Sequence, residues 1–385
     1  MRQKLDHHYS AATRLAQALG YIDESSDGLV PPTYSSTTYL RDEDNQYRSG
    51  RVYSRADNPT YVPVERVLTS LEGGAESLLF SSGMAAATAV FQALQPGAHV
   101  IAPTVMYWAL RAWLLGWAKS WGLQLSFVDT GNLDALKAAI RPTETQLIWL
   151  ETPANPMWTV SDIEKICELA KAHEIYVAVD STVATPLLTR PLELGADFVM
   201  HSATKYLNGH SDVIAGALVT GEINPLWERI RLVRKQGGAV LSPQDANQLL
   251  RGMRTMHLRV RESSRSALWL AEELQKSESV TEVLYPGLPS FPGHDVAKKQ
   301  MHGGFSGMLS IRLKGGASAA IKVAAETRLW KRATSLGGVE SLIEHRASIE
   351  GEGTPVPDDL LRLSVGIEDP RELLIDLLQA IDSAH

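Results

Sequence analysis

Lys205 is the side chain in this sequence best placed to do chemistry. It lies in the stretch from Met200 to Gly216, MHSATKYLNGHSDVIAG, just past an apolar run of Ala196, Phe198, Val199 and Met200. The hydroxyls of Ser202 and Thr204 flank it closely. A lysine amine can condense with an aldehyde, and nearby hydroxyls can hold a phosphate. Pyridoxal phosphate offers both groups and takes up negative charge as an electron sink. Upstream, Val177-Ala-Val-Asp180 ends an apolar run in a carboxylate, which suits a partner for that cofactor's ring nitrogen. Taken alone, S-x-T-K reads as a surface lysine in a loop. Asp180 and the motifs that follow reverse that preference.

Further groups could serve the same chemistry. Ser81-Ser82-Gly83-Met84 stands between a strand-like run and an Ala-rich helix. Backbone amides at such a helix start bind anions, and Gly83 lets a phosphate come close. Tyr53 and Arg55, in Tyr53-Ser-Arg55-x-x-Asn58-Pro59-Thr60, point the same way if the segment is extended, and can grip a phosphate together. The ordinary alternative is a solvated turn at Asn-Pro. Glu151-Thr-Pro-Ala-Asn155-Pro156 follows a strand, where α/β proteins place ligand loops, so Asn155 can donate to the cofactor's ring oxygen. Tyr107 also follows a strand and can stack on a pyridine ring or move a proton. Leu361-Arg362-Leu363-Ser364 puts an arginine inside an apolar strand. Buried arginine needs a partner, either a substrate α-carboxylate held bidentately or a structural ion pair.

These residues need a scaffold, and the pattern supplies one. Short apolar runs at 78–80, 99–102, 125–128, 146–150, 176–179 and 198–200 alternate with helical patterns at 84–94, 107–119, 133–140 and 163–171. Such alternation predicts an α/β fold with a mostly parallel sheet covered on both faces. Residues 1–50 are polar and poorly periodic and read as an arm reaching a neighbouring subunit. Residues 51–242 form the large domain with the cofactor motifs, and 243–385 a smaller α+β domain. Ser242-Pro243 opens one long helical stretch through Leu270, and Pro370 opens a terminal helix to about Ala384.

Composition sets limits. With 385 residues and a net charge of −7, the chain has room for a large core and no electrostatic case for nucleic acid. The single cysteine, Cys167, has Ile163, Ile166 and Ala170 at helical spacing and reads as a core residue. It permits no internal disulfide, which suits a reducing, cytoplasmic setting. No signal peptide or membrane span is expected. Trp108, Trp113, Trp117 and Trp121 would make one aromatic stripe on a helix, read as a core or subunit-interface face. No metal-ligand pattern occurs among the eleven histidines, and His201 and His210 read as supports for the lysine loop.

Seven motifs in order, YSRADNPT, FSSGMAA, ETPANP, VAVDST, HSATKYLNGHSD, TSLGGVESLIEH and LLRLSVGIEDP, resemble the Cys/Met-metabolism family of pyridoxal phosphate enzymes. That family includes cystathionine γ-synthase, cystathionine γ- and β-lyases and methionine γ-lyase. The resemblance runs from about Pro31 to the C-terminus. It implies the aspartate aminotransferase-like fold (fold type I) and a homotetramer of two active dimers. By this resemblance Lys205 would hold the cofactor covalently and then shuttle protons, and Asp180 would keep the ring nitrogen protonated. Ser82, Gly83, Met84, Ser202 and Thr204 would bind phosphate. Tyr53 and Arg55 would reach the phosphate of the neighbouring subunit, and Tyr107 would stack on the ring. Arg362, with Asn155 and Ser335, would hold the substrate carboxylate. The implied reaction is γ-elimination or γ-replacement on an L-amino acid with a γ-heteroatom. An aminotransferase shares its opening chemistry, and a catalytically silent cofactor-binding protein is the reading of another class. The ordered motifs argue against the first, and Lys205, Asp180 and Arg362 together against the second.

The chain departs from the family at informative places. Members that handle cystathionine carry an acid just before Tyr-x-Arg or before the Ser of SLGG, and here those positions are Val52 and Thr334. Asp180-Ser181 replaces the usual Asp-Asn. After SLIEH, a Met-Thr-His-containing segment gives way to Arg346-Ala-Ser-Ile-Glu350-Gly-Glu352-Gly. If Glu350 or Glu352 faces the pocket, it favours a cationic distal group such as a guanidinium. L-Canavanine carries that group on a γ-oxygen, so the sequence nominates a canavanine γ-lyase yielding homoserine, beside the synthase and lyases of cystathionine.

Overall fold

The computed structural model describes residues 8–55, 57–351 and 353–384. In chain order its strands are β1 (Glu76–Phe80), β2 (His99–Pro103), β3 (Gln124–Val128), β4 (Thr145–Glu151), β5 (Tyr176–Asp180), β6 (Phe198–His201), β7 (Gly216–Thr220), β8 (Val280–Leu284), β9 (Met308–Leu313), β10 (Lys331–Arg332), β11 (Leu342–His345) and β12 (Leu360–Ser364). They gather with their helices into two compact units, Met1–Gln95 with Asp197–His257, and Pro96–Ala196 with Leu258–His385.

In the first unit β7 pairs antiparallel with both β1 and β6, so that Leu218 faces Leu78 on one side and Met200 on the other. The helix Tyr61–Glu72 turns Val64, Val67, Leu68 and Leu71 inward and ends at Gly73, whose φ of +68° only a glycine adopts without cost. The expected arm is not structureless. Ser10 caps a short helix, Ala11–Ala16, whose Leu15 is buried and whose Arg14 donates to the carbonyl and hydroxyl of Ser70. Beyond it, Leu29, Val30, Tyr34 and Leu40 lie exposed.

In the second unit β3, β2, β4 and β5 run parallel in that order. Continuous apolar runs suit strands buried on both faces, and all five residues of β2 are buried. The helix Ile163–Lys171, capped by Asp162, packs Ile163, Ile166, Cys167 and Ala170 against Ile148, Leu150, Val177 and Val179. Cys167 is thus a core residue, as its spacing suggests. A second sheet has the order β10-β11-β12-β9-β8, all neighbours antiparallel except β10 and β11. The loop after β4 is tied to this sheet, since Trp158 donates to Ser310 Oγ at 2.8 Å and that hydroxyl donates to the Pro156 carbonyl at 2.8 Å.

Two expectations need correction. The long helix from Pro243 is two helices, Pro243–Met253 and Met256–Leu274, broken at Arg254-Thr255. Apolar spacing continues across a short break, so periodicity alone does not reveal it. Of the two readings of the tryptophan stripe, core or subunit-interface face, the single chain removes the first. Its helix buries Leu110, Leu114 and Ala118, while Trp108, Trp117 and Trp121 are 38%, 41% and 46% exposed. Trp113, Trp117 and Trp121 stack on one another at 5.0 Å spacings, where the helix widens to a π turn at Leu114–Ala118. The terminal helix is Pro370–Ala384, as expected. Among the described residues no helix is long and apolar enough to cross a membrane.

Candidate active site

In the first unit the phosphate-type turn and the lysine loop converge. Ser82 Oγ caps the helix Gly83–Gln92, accepting from the Ala85 amide at 3.1 Å. A Cβ on Gly83 would lie 2.7 Å from Ser202 Oγ, and one on Gly216 would lie 2.0 Å from the Ser82 carbonyl. Both positions therefore require glycine for the turn to sit this close to β7 and Ser202. The result is a cradle of helix-start amides at Gly83 and Met84 with a serine beside them, which fits a phosphate monoester. Lys205 follows directly, partly buried, in a turn closed by its amide on the Ser202 carbonyl at 3.0 Å and by the Gly209 amide on its own carbonyl at 2.8 Å. The Lys205 amine and the cradle thus share one unit, an arrangement that pyridoxal phosphate bound through both its aldehyde and its phosphate would need.

Neighbours hold this loop rigidly. Thr204, expected among the phosphate ligands, uses its hydroxyl on the backbone of Ala215, accepting at 3.0 Å and donating at 3.1 Å. In this geometry it clamps the loop, and Ser202 is left nearest the cradle. His201 pairs with Glu72 Oε1 at 2.5 Å, fully buried, and His210 Nδ1 meets the Asn208 carbonyl at 2.7 Å. Tyr53 and Arg55 are both exposed, with the guanidinium carbon 5.7 Å from the ring centroid.

In the second unit Asp180 ends β5, nine-tenths buried, and its Oδ1 accepts from the Thr182 amide at 3.0 Å and hydroxyl at 2.5 Å. Tyr107 precedes the helix Trp108–Trp113 and is 38% exposed. Burial, the largest cause, raises the pKa of its phenol, with the Glu151 and Asp180 charges adding to the rise. Glu151, at the end of β4, is the organiser that sequence reading missed. One oxygen accepts from the Tyr107 amide at 2.7 Å and the other from the Asn155 amide at 2.9 Å. Its position at a strand end beside Asp180 on β5 was the available signal.

Arg362 lies on β12, 3% exposed, and donates to Asn155 Oδ1 at 3.3 Å and to the Ser335 carbonyl at 2.7 Å. The three residues expected to hold a substrate carboxylate are therefore together. Ser335 adopts φ +92°, uncommon for a residue with a side chain. Burial lowers the Arg362 pKa to about 10, which still leaves the guanidinium charged at neutral pH. Thr334 and Val52 are exposed. Glu350 accepts from Arg346 at 2.9 Å and from the Thr354 hydroxyl at 2.6 Å. It lines a cavity of about 120 Å³ with Thr104, Trp108, Arg111 and Thr354. Glu352 lies outside the described residues.

Glu151 makes a pH prediction for the cofactor-free protein. Burial first, then the Asp180 charge, raises its pKa to about 8 from an ordinary 4.5. The folded chain thus binds this proton more tightly than the unfolded chain. The stability this confers is fully present below pH 4.5 and is lost as pH rises through about 8. Glu151→Gln removes the titration, so its melting temperature should fall less than that of the parent between about pH 5 and pH 8. Equal falls in thermal scans at the two pH values would count against this assignment.

A family model described as Cys/Met metabolism PLP-dependent enzyme matches residues 12–382. A protein of Mycobacterium tuberculosis named cystathionine gamma-synthase is 46% identical over 377 residues, 96% of each chain. A cystathionine beta-lyase of Coxiella burnetii is 40% identical, over 96% of this chain and 97% of that one. The solved cystathionine gamma synthase of Xanthomonas oryzae pv. oryzae, in complex with cystathionine, superposes with a TM-score of 0.93 at 36% identity over 98% of both chains. The α/β fold expected from the motifs is borne out by this likeness.

Proposed function

We propose, because this chain belongs to the Cys/Met metabolism family of pyridoxal phosphate-dependent enzymes, that its γ-elimination and replacement chemistry is directed at L-canavanine, releasing hydroxyguanidine. The family membership establishes the cofactor and the reaction class. The substrate reading is carried by one observation: the acids that would attract the distal ammonium of cystathionine are absent at Val52 and Thr334, while a half-buried acid, Glu350, lines the cavity beside Trp108 and Arg111. A carboxylate has about four acceptor sites, so Glu350 can take a guanidinium in addition to its bonds to Arg346 and Thr354.

Each side chain then has a task. Bound pyridoxal phosphate supplies a sink for the negative charge left at Cα. Lys205 would anchor it, and its freed amine would remove the α-proton, pass that proton on, and, neutral again, remove a β-proton. Asp180 holds the proton at the ring nitrogen. Gly83, Met84 and Ser202 hold the phosphate, with Ser82 capping their helix, and Tyr53 and Arg55 reach the phosphate of a partner subunit in a homotetramer. The exposed Leu29, Val30 and Leu40 of the N-terminal segment suit such an assembly. Arg362, Asn155 and Ser335 hold the α-carboxylate. Tyr107, a phenol whose pKa burial raises further above neutrality, would stack on the ring and donate to the leaving oxygen. In balance, canavanine and water give homoserine and hydroxyguanidine, with the Cγ–O bond broken and water's oxygen placed on Cγ. We place this reaction in the cytoplasm.

A second reading, replacement of an O-acylhomoserine substituent by cysteine, is favoured by the 46% identity to a protein named cystathionine gamma-synthase. Product analysis of the cofactor-loaded protein separates the two. Its substrates are L-canavanine, L-cystathionine, L-methionine, and O-acetyl- or O-succinyl-L-homoserine with cysteine. Homoserine from canavanine alone supports the first. Cystathionine from an acylhomoserine, or 2-oxobutanoate from cystathionine, with canavanine untouched, would replace it by the second.

A further inference from the structure

Arg346 has no task in the reaction just described, yet it is only 1% exposed. It follows β11 directly and opens the short helix Arg346–Glu350. Its Nη1 donates to Glu344 Oε2 at 2.7 Å, and its Nη2 to Glu350 Oε1 at 2.9 Å. The same oxygen of Glu344 lies 2.7 Å from Arg362 Nη2. One carboxylate oxygen therefore stands between two guanidinium groups. Glu344 and Arg362 face each other directly across β11 and β12, 5% and 3% exposed.

This arrangement carries an electrostatic consequence. A substrate carboxylate that docks on Arg362 arrives beside a second anion, Glu344, away from bulk water. Like charges brought together there repel far more strongly than in solvent. Two guanidinium groups and the two carboxylates of Glu344 and Glu350 balance one another. Without Arg346 the balance is negative before the substrate arrives. Arg362 also retains donors for an incoming anion. Its Nε has no hydrogen-bond partner among the described residues, and its contact with Asn155 is long at 3.3 Å.

We infer that Arg346 is a positioning residue for the substrate, holding Glu344 so that Arg362 can accept the α-carboxylate. The inference rests on the reading that Arg362 binds that carboxylate. Through Glu350 the same guanidinium anchors one wall of the cavity lined by Thr354 and Trp108. Arg346 stands where the sequence leaves the family pattern, so this device belongs to the chain's own divergence.

The test uses holoenzyme and L-norvaline, which carries a methyl group where the substrate has its γ-oxygen and so has no γ-leaving group. Its dissociation constant is read from the perturbed absorbance of the cofactor. Arg346→Met should weaken norvaline about tenfold or more and raise KM by a similar factor, with kcat within about threefold. The double variant Arg346→Met/Glu344→Gln should return to within about threefold of the parent, because it removes the uncompensated charge. Arg346→Lys should fall between. Parent-like binding by Arg346→Met, or a double variant no better than the single, overturns the inference. If Arg346→Met does not load cofactor, Glu344→Gln decides. Binding within about threefold of the parent supports the inference, and tenfold weakening overturns it. Arg362→Met separates the two layers. Parent-like norvaline binding in that variant removes the reading of Arg362 itself, whatever the Arg346 variants do.

Discussion

Lys205→Ala is expected to bring turnover down by at least about 1,000-fold, because in the proposed reaction one side chain would both anchor the cofactor and move the protons. The loss should fall on kcat. The fold should persist, since backbone bonds from Gly209 to Lys205 and from Thr204 to Ala215 hold the loop. The variant should still take up cofactor in the cradle of Gly83, Met84 and Ser202, but should release it on unfolding even after borohydride treatment, which would fix the cofactor to the parent. Two assays suffice: product formation under saturating substrate, and cofactor retained by the protein after borohydride treatment and unfolding. Parent-like turnover would remove Lys205 from the reaction. Cofactor still fixed covalently would move the anchor to another lysine.

Asp180→Asn should be the next most damaging change, costing kcat about 100- to 1,000-fold, the usual scale for losing one preorganised electrostatic partner. Asparagine matches aspartate in shape and can still accept from Thr182, so the local bonds at 3.0 and 2.5 Å survive. What would be lost, on the proposed role, is the negative charge that keeps a proton on the ring nitrogen, and with it much of the electron-withdrawing power of the ring. The discriminating comparison is Thr182→Val, which keeps the charge and loosens its orientation. It should cost far less, about tenfold. Equal losses in the two variants would mean that orientation, and not charge, is what Asp180 supplies.

The candidate site was readable to different depths. Lys205, Asp180 and Arg362 announce themselves because each puts a charge at the end of, or inside, an apolar run, where a charge is costly unless used. The glycines at 83 and 216 could be seen, but only the folded chain shows that Ser202 and the Ser82 carbonyl occupy the space of their missing Cβ atoms. Thr204 was readable as a hydroxyl beside the lysine. That its hydroxyl clamps Ala215 depends on a contact eleven residues away. Glu151 was quoted in its motif without a role, since bridging two amides at 107 and 155 is a property of strand ends brought side by side.

The sequence by itself determined the α/β alternation, the cofactor chemistry and the family. These follow from local periodicity and from short motifs whose residues must be neighbours in the chain to act together. The tertiary structure alone decided which charges are shared. The Arg362–Glu344–Arg346–Glu350 chain needs β11 and β12 in antiparallel register to set position 344 opposite 362. Likewise, only packing could turn the tryptophans outward, because Leu110 and Leu114 compete for the same interior and take it. Spacing records which residues share a helix face. Which face is buried depends on what the rest of the chain brings against it.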